Sequence, residues 1–346
     1  MTPRTLWVGT YAEAGGRGLV RLEYDPDTGF TAGQAVEDAA NASFGAWSKR
    51  NGVHYLVDEQ GAGAVGAWRR AGGEWQKIGA VPSGGREPCY VTLDPAEQRI
   101  AVANYGSGSV ALFEPGGDGA PRDGGTLWAN NGHGPNAERQ EGPHMHCVCF
   151  SPDSRWLYAV DLGTDQILRF ALDAPTLLRE PQCVYHAPPG SGPRHLLFHP
   201  TLPIALLVSE LANTLTLFDV RPDGLSSRSR CSTLPAGFTG DSLGGHLALN
   251  AAGTNGYVTN RGHDSVAVFR IDGAEPGIEL LQHVASGGAS PRFILLMEDV
   301  ARLIAINEES GSVVAMALRS DGTLEPTGHS VSVAGAAYVF RQETFL

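Results

Sequence analysis

The sequence predicts an all-β fold, a seven-bladed β-propeller whose C-terminal strand completes the N-terminal blade. Two observations support this prediction: a short turn phrase recurs about every fifty residues, and short apolar runs follow each copy. The clearest copy is Ser151-Pro152-Asp153, which precedes the run 156–161, and degraded copies begin near residues 48, 94, 199, 250 and 298. A repeat of this length, built from short β runs, is typical of a propeller blade.

The blade count comes from the two ends of the chain. Six copies of the repeat carry the turn phrase, and within each copy Val, Ile, Leu and aromatic runs alternate with Gly, Pro, Asp and Asn. The first run, 6–10, resembles the second strand of a blade whose preceding strand is missing. The run 336–340 resembles the inner strand 88–92 and supplies the missing strand. Seven blades closed in this way leave only short, protected sheet edges.

Length and composition agree with one domain over residues 1–346, because a propeller grows by adding blades to a single body. No apolar stretch approaches the ~20 residues of a membrane span, and residues 1–4 show no signal peptide. We therefore expect a cytoplasmic protein with no membrane partner. The five cysteines are odd in number and lack the spacing of a metal site, so we expect buried free thiols.

The net charge is −12, from 25 basic and 37 acidic residues. This balance argues against nucleic acid as a partner, because a phosphate backbone attracts basic surfaces. The sequence does not indicate the oligomeric state.

The polar residues of interest occupy two repeated positions. In a propeller blade the inner strand lines the axis and the next strand runs back, so the start of the first and the end of the second share one mouth. Convergent polar groups in a concave site are the usual mark of an active site. Strand starts supply Glu87, His144, His146, Arg194, His195, His246 and Arg292, and strand ends supply Tyr11, Glu59, Asn104, Tyr105, Asp161, Glu210, Asn260, Arg261 and Glu308. Any one of these residues has an alternative role, because blades also use Asp, Asn and His to bond to their neighbours.

Three clusters stand out from this background. His144 and His146 alternate on a predicted strand and therefore point to the same face. Arg194 directly follows a proline at the next strand start, and Arg261 lies in the stretch Asn260–Ser265 on another blade. Two arginines that face one cavity require anions, and Glu210 alone supplies too little charge. The sequence therefore predicts a substrate with a phosphate or carboxylate group.

These phrases resemble the lactonase family of seven-bladed propellers, which includes propeller-type 6-phosphogluconolactonases and fungal 3-carboxy-cis,cis-muconate lactonising enzymes. The resemblance covers essentially the whole chain and rests on the joint spacing of the phrases at 8–11, 102–110, 134–146, 161–165, 192–195 and 260–265. It implies an axial site without metal or cofactor. The implied catalytic residues are His144 or His146, Arg194, Glu210 and Arg261. Among the other polar residues, we expect a set to bind the substrate: Tyr11, Glu59, Asn104, Asp161, His195, His246, His263 and Arg292.

The chain also departs from the family pattern. It has Gly245-His246-Leu247 where the family commonly has Ala-Glu-Ile, and Pro291-Arg292-Phe293 where Pro-Arg-Asp-Phe is usual. The change at His246 alters a position at the mouth, so it bears on which lactone binds.

The expected function is hydrolysis of an anionic sugar lactone, in the manner of a 6-phosphogluconolactonase. We expect Glu210 beside Arg194 to form the catalytic pair, with an imidazole of His144 or His146 as the alternative base. Three other functions remain open: a carboxymuconate-type lactonising cycloisomerase, a metal-dependent gluconolactonase with Glu59, Asn104 and Asp161 as ligands, and a non-catalytic scaffold. The segment 116–141 is predicted to be the longest loop and a lid or wall of the cleft.

Overall fold

The structure is a computed structural model that describes residues 3–172, 178–272, 274 and 277–341. The described residues form 28 β-strands and two single-turn 3-10 helices, Ala12–Ala14 and Glu298–Val300. The strands are β1 (Arg4–Thr10), β2 (Leu19–Asp25), β3 (Gly29–Val36), β4 (Gly45–Ser48), β5 (Val53–Asp58), β6 (Ala64–Ala71), β7 (Glu74–Pro82), β8 (Pro88–Leu93), β9 (Ile100–Asn104), β10 (Ser109–Phe113), β11 (Thr126–Ala129), β12 (Met145–Phe150), β13 (Trp156–Asp161), β14 (Gln166–Ala171), β15 (Gln182–His186), β16 (Pro193–Phe198), β17 (Ile204–Ser209), β18 (Thr214–Arg221), β19 (Gly224–Ser232), β20 (Leu243–Leu249), β21 (Asn255–Arg261), β22 (Ser265–Ile271), β23 (Ile278–Ala285), β24 (Pro291–Met297), β25 (Arg302–Asn307), β26 (Ser312–Leu318), β27 (Leu324–Ser332) and β28 (Ala336–Phe340).

These strands form seven four-stranded antiparallel sheets, which confirms the predicted seven-bladed β-propeller. Sheet 1 has the order β28-β1-β2-β3, and sheets 2 to 7 each contain four consecutive strands, from β4–β7 to β24–β27. The predicted closure is also confirmed: Trp7 in β1 lies opposite Phe340 in β28, and Val8 lies opposite Val339. The last strand of the chain is therefore the inner strand of the first blade.

The described residues group into two compact units. The first contains residues 3–40 and 195–341, with sheets 1, 6 and 7 and nearly all of sheet 5, and the second contains residues 41–194, with sheets 2, 3 and 4. Within each unit the inner strands of consecutive sheets pack together, as β20 does against β24 and β8 against β12. A single domain over the whole chain stays a prediction.

Burial follows the place of each strand in its blade. Every residue of β17 and β9, which are the second strands of their blades, is buried. The outer strand β27 instead alternates between less and more exposed residues, as expected for a strand with one solvated face. In the first unit, Leu206, Leu217 and Phe269 form part of the core between sheets 5 and 6.

Several inner strands share a β-bulge close to their first residue. In β8, Pro88 pairs with Asn104 and Tyr90 with the preceding Ala103, so Cys89 is an extra residue. The same irregularity makes His146 the extra residue in β12, Arg292 in β24 and Ala337 in β28. A bulge bends its strand and redirects a side chain. We call this extra residue the bulge position.

Two sequence predictions need correction here. The segment 116–141 is not one long loop, because it contains β11, the outer strand of sheet 3, and a bridge between Pro115 and Pro121. None of the five cysteines, all of which the structure describes, forms a disulfide, but only Cys89 and Cys147 are buried, while Cys149, Cys183 and Cys231 are half-buried. Within the described residues, neither helix has the length or apolar character needed to cross a membrane, and the cytoplasmic location stays a prediction.

Removing β28 should destabilise the whole fold. Tyr338, Val339 and Phe340 are at most 2% exposed, and burying each contributes roughly 1.5–3 kcal/mol. Their sum is comparable with the roughly 5–15 kcal/mol that stabilises a typical domain. A chain that ends at Gly335 should therefore melt far below one that ends at Arg341, which keeps β28. Equal melting temperatures would show that the closure contributes nothing to stability.

The buried His54 should make the protein acid-sensitive. Burial lowers the pKa of this imidazole from 6.5 to about 3, and its ring lies between Trp47 and Trp75. In the unfolded chain the His54 imidazole binds a proton below pH 6.5, whereas in the folded chain it binds one only near pH 3. Stability should therefore fall as the pH drops through this window, by up to about 1.4 kcal/mol per pH unit.

Urea denaturation between pH 7 and pH 4 tests this expectation. His54→Phe should flatten the loss of stability with falling pH, because it removes the proton that only the unfolded chain binds. The matched control is His133→Gln, since His133 is exposed and its replacement should leave the slope unchanged. Parallel slopes for His54→Phe and the wild type would contradict the expectation.

Candidate active site

The first unit holds a buried ion pair between two of the predicted catalytic residues. Glu210 directly follows β17 and Arg261 ends β21, so both lie at the end of a second strand. The Arg261 guanidinium lies 2.7 Å from Glu210 Oε2, with the two side chains 13% and 2% exposed. It also donates to the carbonyl oxygen of Gly244 at 3.1 Å. Arg261 is therefore neutralised by Glu210 within its own unit.

Gly244 allows the inner strand β20 to pass close to this pair. A Cβ atom at Gly244 would lie 2.9 Å from the Ser209 carbonyl oxygen and 3.5 Å from the Glu210 Cα. The Gly244 N–H donates to the Glu210 carbonyl oxygen at 2.8 Å. The backbone contact and the ion pair thus join the ends of sheets 5 and 6. The expected pairing of Glu210 with Arg194 stays a prediction.

His195 and His246 occupy matching places on the inner strands β16 and β20. Both are buried, and their rings meet edge to face at 5.4 Å. The His246 ring also stacks on Phe293 at 4.0 Å, and its Nδ1 accepts the Ile294 N–H at 3.5 Å. That contact favours the tautomer with its proton on Nε2.

A second, looser ion pair lies in the same unit. Arg292, at the bulge position of β24, reaches Glu308 Oε2 at 3.4 Å, with side chains 16% and 28% exposed. Its guanidinium carbon lies 5.3 Å from the centre of the Tyr11 ring. Three predicted mouth residues therefore do come together, on sheets 1 and 7.

The second unit contains the two histidines of the Gly-Pro-His-Met-His phrase. His144 lies 3.1 Å through Nδ1 from the Tyr105 carbonyl oxygen and 3.1 Å through Nε2 from Glu141 Oε1. Its ring stacks on Tyr105 at 4.4 Å. The pKa of Glu141 lies below its usual value because its own backbone N–H and His144 bond to the carboxylate. Both nitrogens of His144 are therefore engaged by the protein.

His146 occupies a different environment from His144. It is the extra residue of the β12 bulge, its ring lies edge-on to Tyr105 at 5.5 Å, and its Nδ1 is 3.9 Å from Cys89 Sγ. Because both ring nitrogens of His144 are bonded within the protein, His146 is the better candidate of the two for proton transfer. Sequence spacing placed both on one face and did not reveal this difference. Glu141, which holds His144, was not among the predicted residues.

Asn104 and Asp161 stabilise the blades. Asn104 donates to the Ser83 carbonyl oxygen and to Ser109 Oγ, and Asn260 and Asn307 make the equivalent bonds in sheets 6 and 7. Asp161 takes the same place in sheet 4 and accepts bonds from the His144 N–H, the Gly163 N–H and Asn130 Nδ2. Burial raises the pKa of Asp161. Their bonds resemble ties between blades more than substrate contacts.

The other predicted residues lie as follows. Glu59 is half-buried after β5, and Arg194 is buried in β16. His263 bonds to Ser265 Oγ and packs its ring against Phe238 and near His283, so it faces the outer part of sheet 6. Burial lowers the pKa of His263. Among the described residues, no three His, Cys, Asp or Glu side chains are arranged to hold a metal ion.

Comparison with known proteins identifies the family. Residues 5–340 match the family described as lactonase, 7-bladed beta-propeller. The chain belongs to the lactonase family. This lactonase is 32% identical to the 6-phosphogluconolactonase of Bacillus subtilis (strain 168), over 91% of each chain. It is a lactone-hydrolysing enzyme, as the sequence predicted.

Solved structures agree with this assignment. The periplasmic gluconolactonase of Pseudomonas aeruginosa is 26% identical, with a TM-score of 0.90 over 98% of this lactonase and 99% of that chain. A protein from Lactobacillus plantarum is 27% identical, with a TM-score of 0.89 over 98% and 99% of the two chains. The fold is therefore shared along nearly the whole length.

The ion pair makes a testable prediction about stability. Arg261→Met leaves the Glu210 carboxylate buried without this partner, which should cost about 3–5 kcal/mol. The double variant Glu210→Gln/Arg261→Met removes both charges and should recover a large part of that loss. Chemical denaturation of the wild type, both single variants and the double variant measures the coupling. Additive losses would show that the two side chains are energetically independent.

Proposed function

We propose that this lactonase hydrolyses a phosphorylated sugar lactone of the 6-phosphogluconolactone type, with Glu210 as the base. The observation that carries the proposal is the Glu210–Arg261 pair, a carboxylate 2% exposed and 2.7 Å from a guanidinium at the ends of two second strands. The named relative from Bacillus subtilis supports the substrate class. A buried, paired carboxylate is held in one orientation, and the neighbouring cation favours its charged form.

The chemistry needs an activated water and a stabilised oxyanion. Glu210 takes a proton from water while the water oxygen bonds to the lactone carbonyl carbon, and the carbonyl electron pair moves onto its oxygen. Arg261 stabilises this negative charge. Collapse of the intermediate breaks the ring C–O bond, and the alkoxide that leaves recovers the proton from Glu210. The product is the open hydroxy acid, and one water is consumed.

Arg261 retains a donor for this role. Its Nε makes no hydrogen bond within the part of the chain that the structure describes, although the other end of the guanidinium is engaged by Glu210 and Gly244. Buried donors are rarely left unsatisfied. A small movement of the side chain toward a developing oxyanion would satisfy it.

The assay should use 6-phosphogluconolactone and plain gluconolactone, with acid release followed at constant pH and the uncatalysed rate subtracted. We expect hydrolysis of both, faster on the phosphorylated lactone, before and after treatment with EDTA. Activity lost with EDTA and restored by calcium would support the metal-dependent alternative. Hydrolysis of neither lactone would overturn the proposed function.

Two variants distinguish the candidate bases. Glu210→Gln should keep the fold and lower kcat by about 100-fold or more, the usual effect of losing a general base. His146→Ala should lower it much less, because here Glu210 carries the proton. Near-normal turnover in Glu210→Gln combined with an inactive His146→Ala would transfer the role to the histidine. Melting temperatures of both variants show whether a loss reflects unfolding.

A further inference from the structure

Each of the seven blades has an equivalent hairpin residue directly before its third strand. In six blades the carbonyl oxygen of this residue accepts an N–H from just beyond the outer strand, as in Asp264 to Ser286 and Gly311 to Val333. Most of the seven have a positive φ, which favours Gly, Asn or Asp. The residues are Gly18, Gly63, Gly108, Asp165, Asn213, Asp264 and Gly311.

Each of the two aspartates in this series is followed, in the next blade, by an inner strand that begins with Pro-Arg. Asp165 is followed in the next blade by Pro193-Arg194, and Asp264 is followed by Pro291-Arg292. The blades that follow the glycines and Asn213 have no arginine at the corresponding place. An aspartate therefore occurs where the next inner strand presents an arginine.

The structure gives a physical reason for this association. Asp264 Oδ1 accepts the Ser290 N–H at 2.8 Å and the Gly262 N–H at 3.0 Å. Ser290 has a φ of +60° and precedes a proline, a place where a non-glycine residue rarely adopts this conformation. The carboxylate thus holds the strained backbone that leads into Arg292.

The same arrangement is present in the second unit. Asp165 accepts the Gly190 N–H at 2.7 Å and the Gly192 N–H at 2.8 Å, directly before Pro193. Asn213 instead donates to the Ser242 carbonyl oxygen. Among the seven hairpin residues, all within the described part of the chain, only the side chains of the two aspartates accept backbone N–H groups of the segment that leads into the next inner strand.

Arg292 is also suited to bind an anion. Unlike Arg261, whose carboxylate partner is 2.7 Å away and buried, it faces Glu308 at 3.4 Å across a pair that solvent reaches. A partly exposed, long ion pair is weak, and a phosphate dianion can replace a carboxylate at a guanidinium. The Tyr11 ring supports the guanidinium from one side.

We propose that Arg292 selects lactones with an anionic group and that Asp264 is the positioning residue that sets its place. This inference rests on the proposed function and names the residue that gives it substrate selectivity. Glu210 already neutralises Arg261, so we assign the selectivity for the anion to another cation. Arg292 combines a partly exposed carboxylate partner with a place at the start of an inner strand, beside Tyr11.

The test measures the ratio of kcat/KM for 6-phosphogluconolactone to that for plain gluconolactone. Arg292→Gln should lower this ratio by about 10- to 100-fold, the range expected for a hydrogen bond to a charged group. Glu308→Gln should raise it through a lower KM for the phosphorylated lactone, because it removes the competing carboxylate. The proposal therefore predicts that Arg292→Gln and Glu308→Gln change the kcat/KM ratio in opposite directions.

Asp264→Gly tests the positioning role. Glycine occupies this place in four other blades, so the variant should fold, and its ratio should fall about 3- to 10-fold through KM with kcat nearly kept. Asp264→Asn keeps one oxygen acceptor and should lie between. The matched control is Asn213→Gly, because the next inner strand after Asn213, β20, contains no arginine. This variant should leave the ratio unchanged.

The outcomes distinguish a failure of this inference from a failure of the proposed function. If the wild type hydrolyses both lactones and the ratio stays constant in Arg292→Gln, Arg292 is not the anion-selecting residue and the proposed function stands. If Arg292→Gln shifts the ratio and Asp264→Gly does not, the positioning role is wrong. If the wild type hydrolyses neither lactone, the proposed function fails and this inference fails with it.

Discussion

The fold depends on a hydrogen bond that the carbonyl oxygen of the hairpin residue accepts from the segment beyond the outer strand of its blade. It recurs at 2.7–3.0 Å in six blades and fixes where the chain leaves one blade for the next inner strand. Most of these residues have a positive φ, which limits the residue to Gly, Asn or Asp at little cost. The fold therefore accepts either glycine or aspartate at the place from which, in our proposal, Asp264 positions Arg292.

Stability alone gives little reason for the Glu210–Arg261 pair, and the proposed function gives it a chemical role. Desolvating two charges costs several kcal/mol per ion, and replacing a buried pair with apolar residues is often neutral or stabilising. The pair lies where β17 and β21 end, and Gly244 keeps the inner strand close. A paired carboxylate with a fixed orientation suits a general base. Arg292 and Glu308 form a looser, partly exposed pair, which suits an exchangeable ligand.

Much of the fold could be predicted because its signals are local. Turn residues and alternating apolar runs act over a few positions, so the repeat revealed the blades, and the unmatched run at 6–10 indicated the closure by β28. The prediction of one long loop over 116–141 was wrong. It missed β11, which spans only Thr126–Ala129 and has one exposed face. Such a short outer strand gives little apolar signal. The bulges were missed because one extra residue leaves no mark in composition.

The sequence by itself determined the blade repeat, the family resemblance and the set of polar residues at strand ends. Only the tertiary structure decided which of them act together: Glu210 with Arg261, Arg292 with Glu308, and His144 with Tyr105 and Glu141. It also distinguished Asn104 and Asp161, whose hydrogen bonds go to backbone groups of the blades, from the residues that we propose bind substrate. The reason is physical. Pairing depends on distances between groups far apart in the chain, and those distances exist only after the blades have packed.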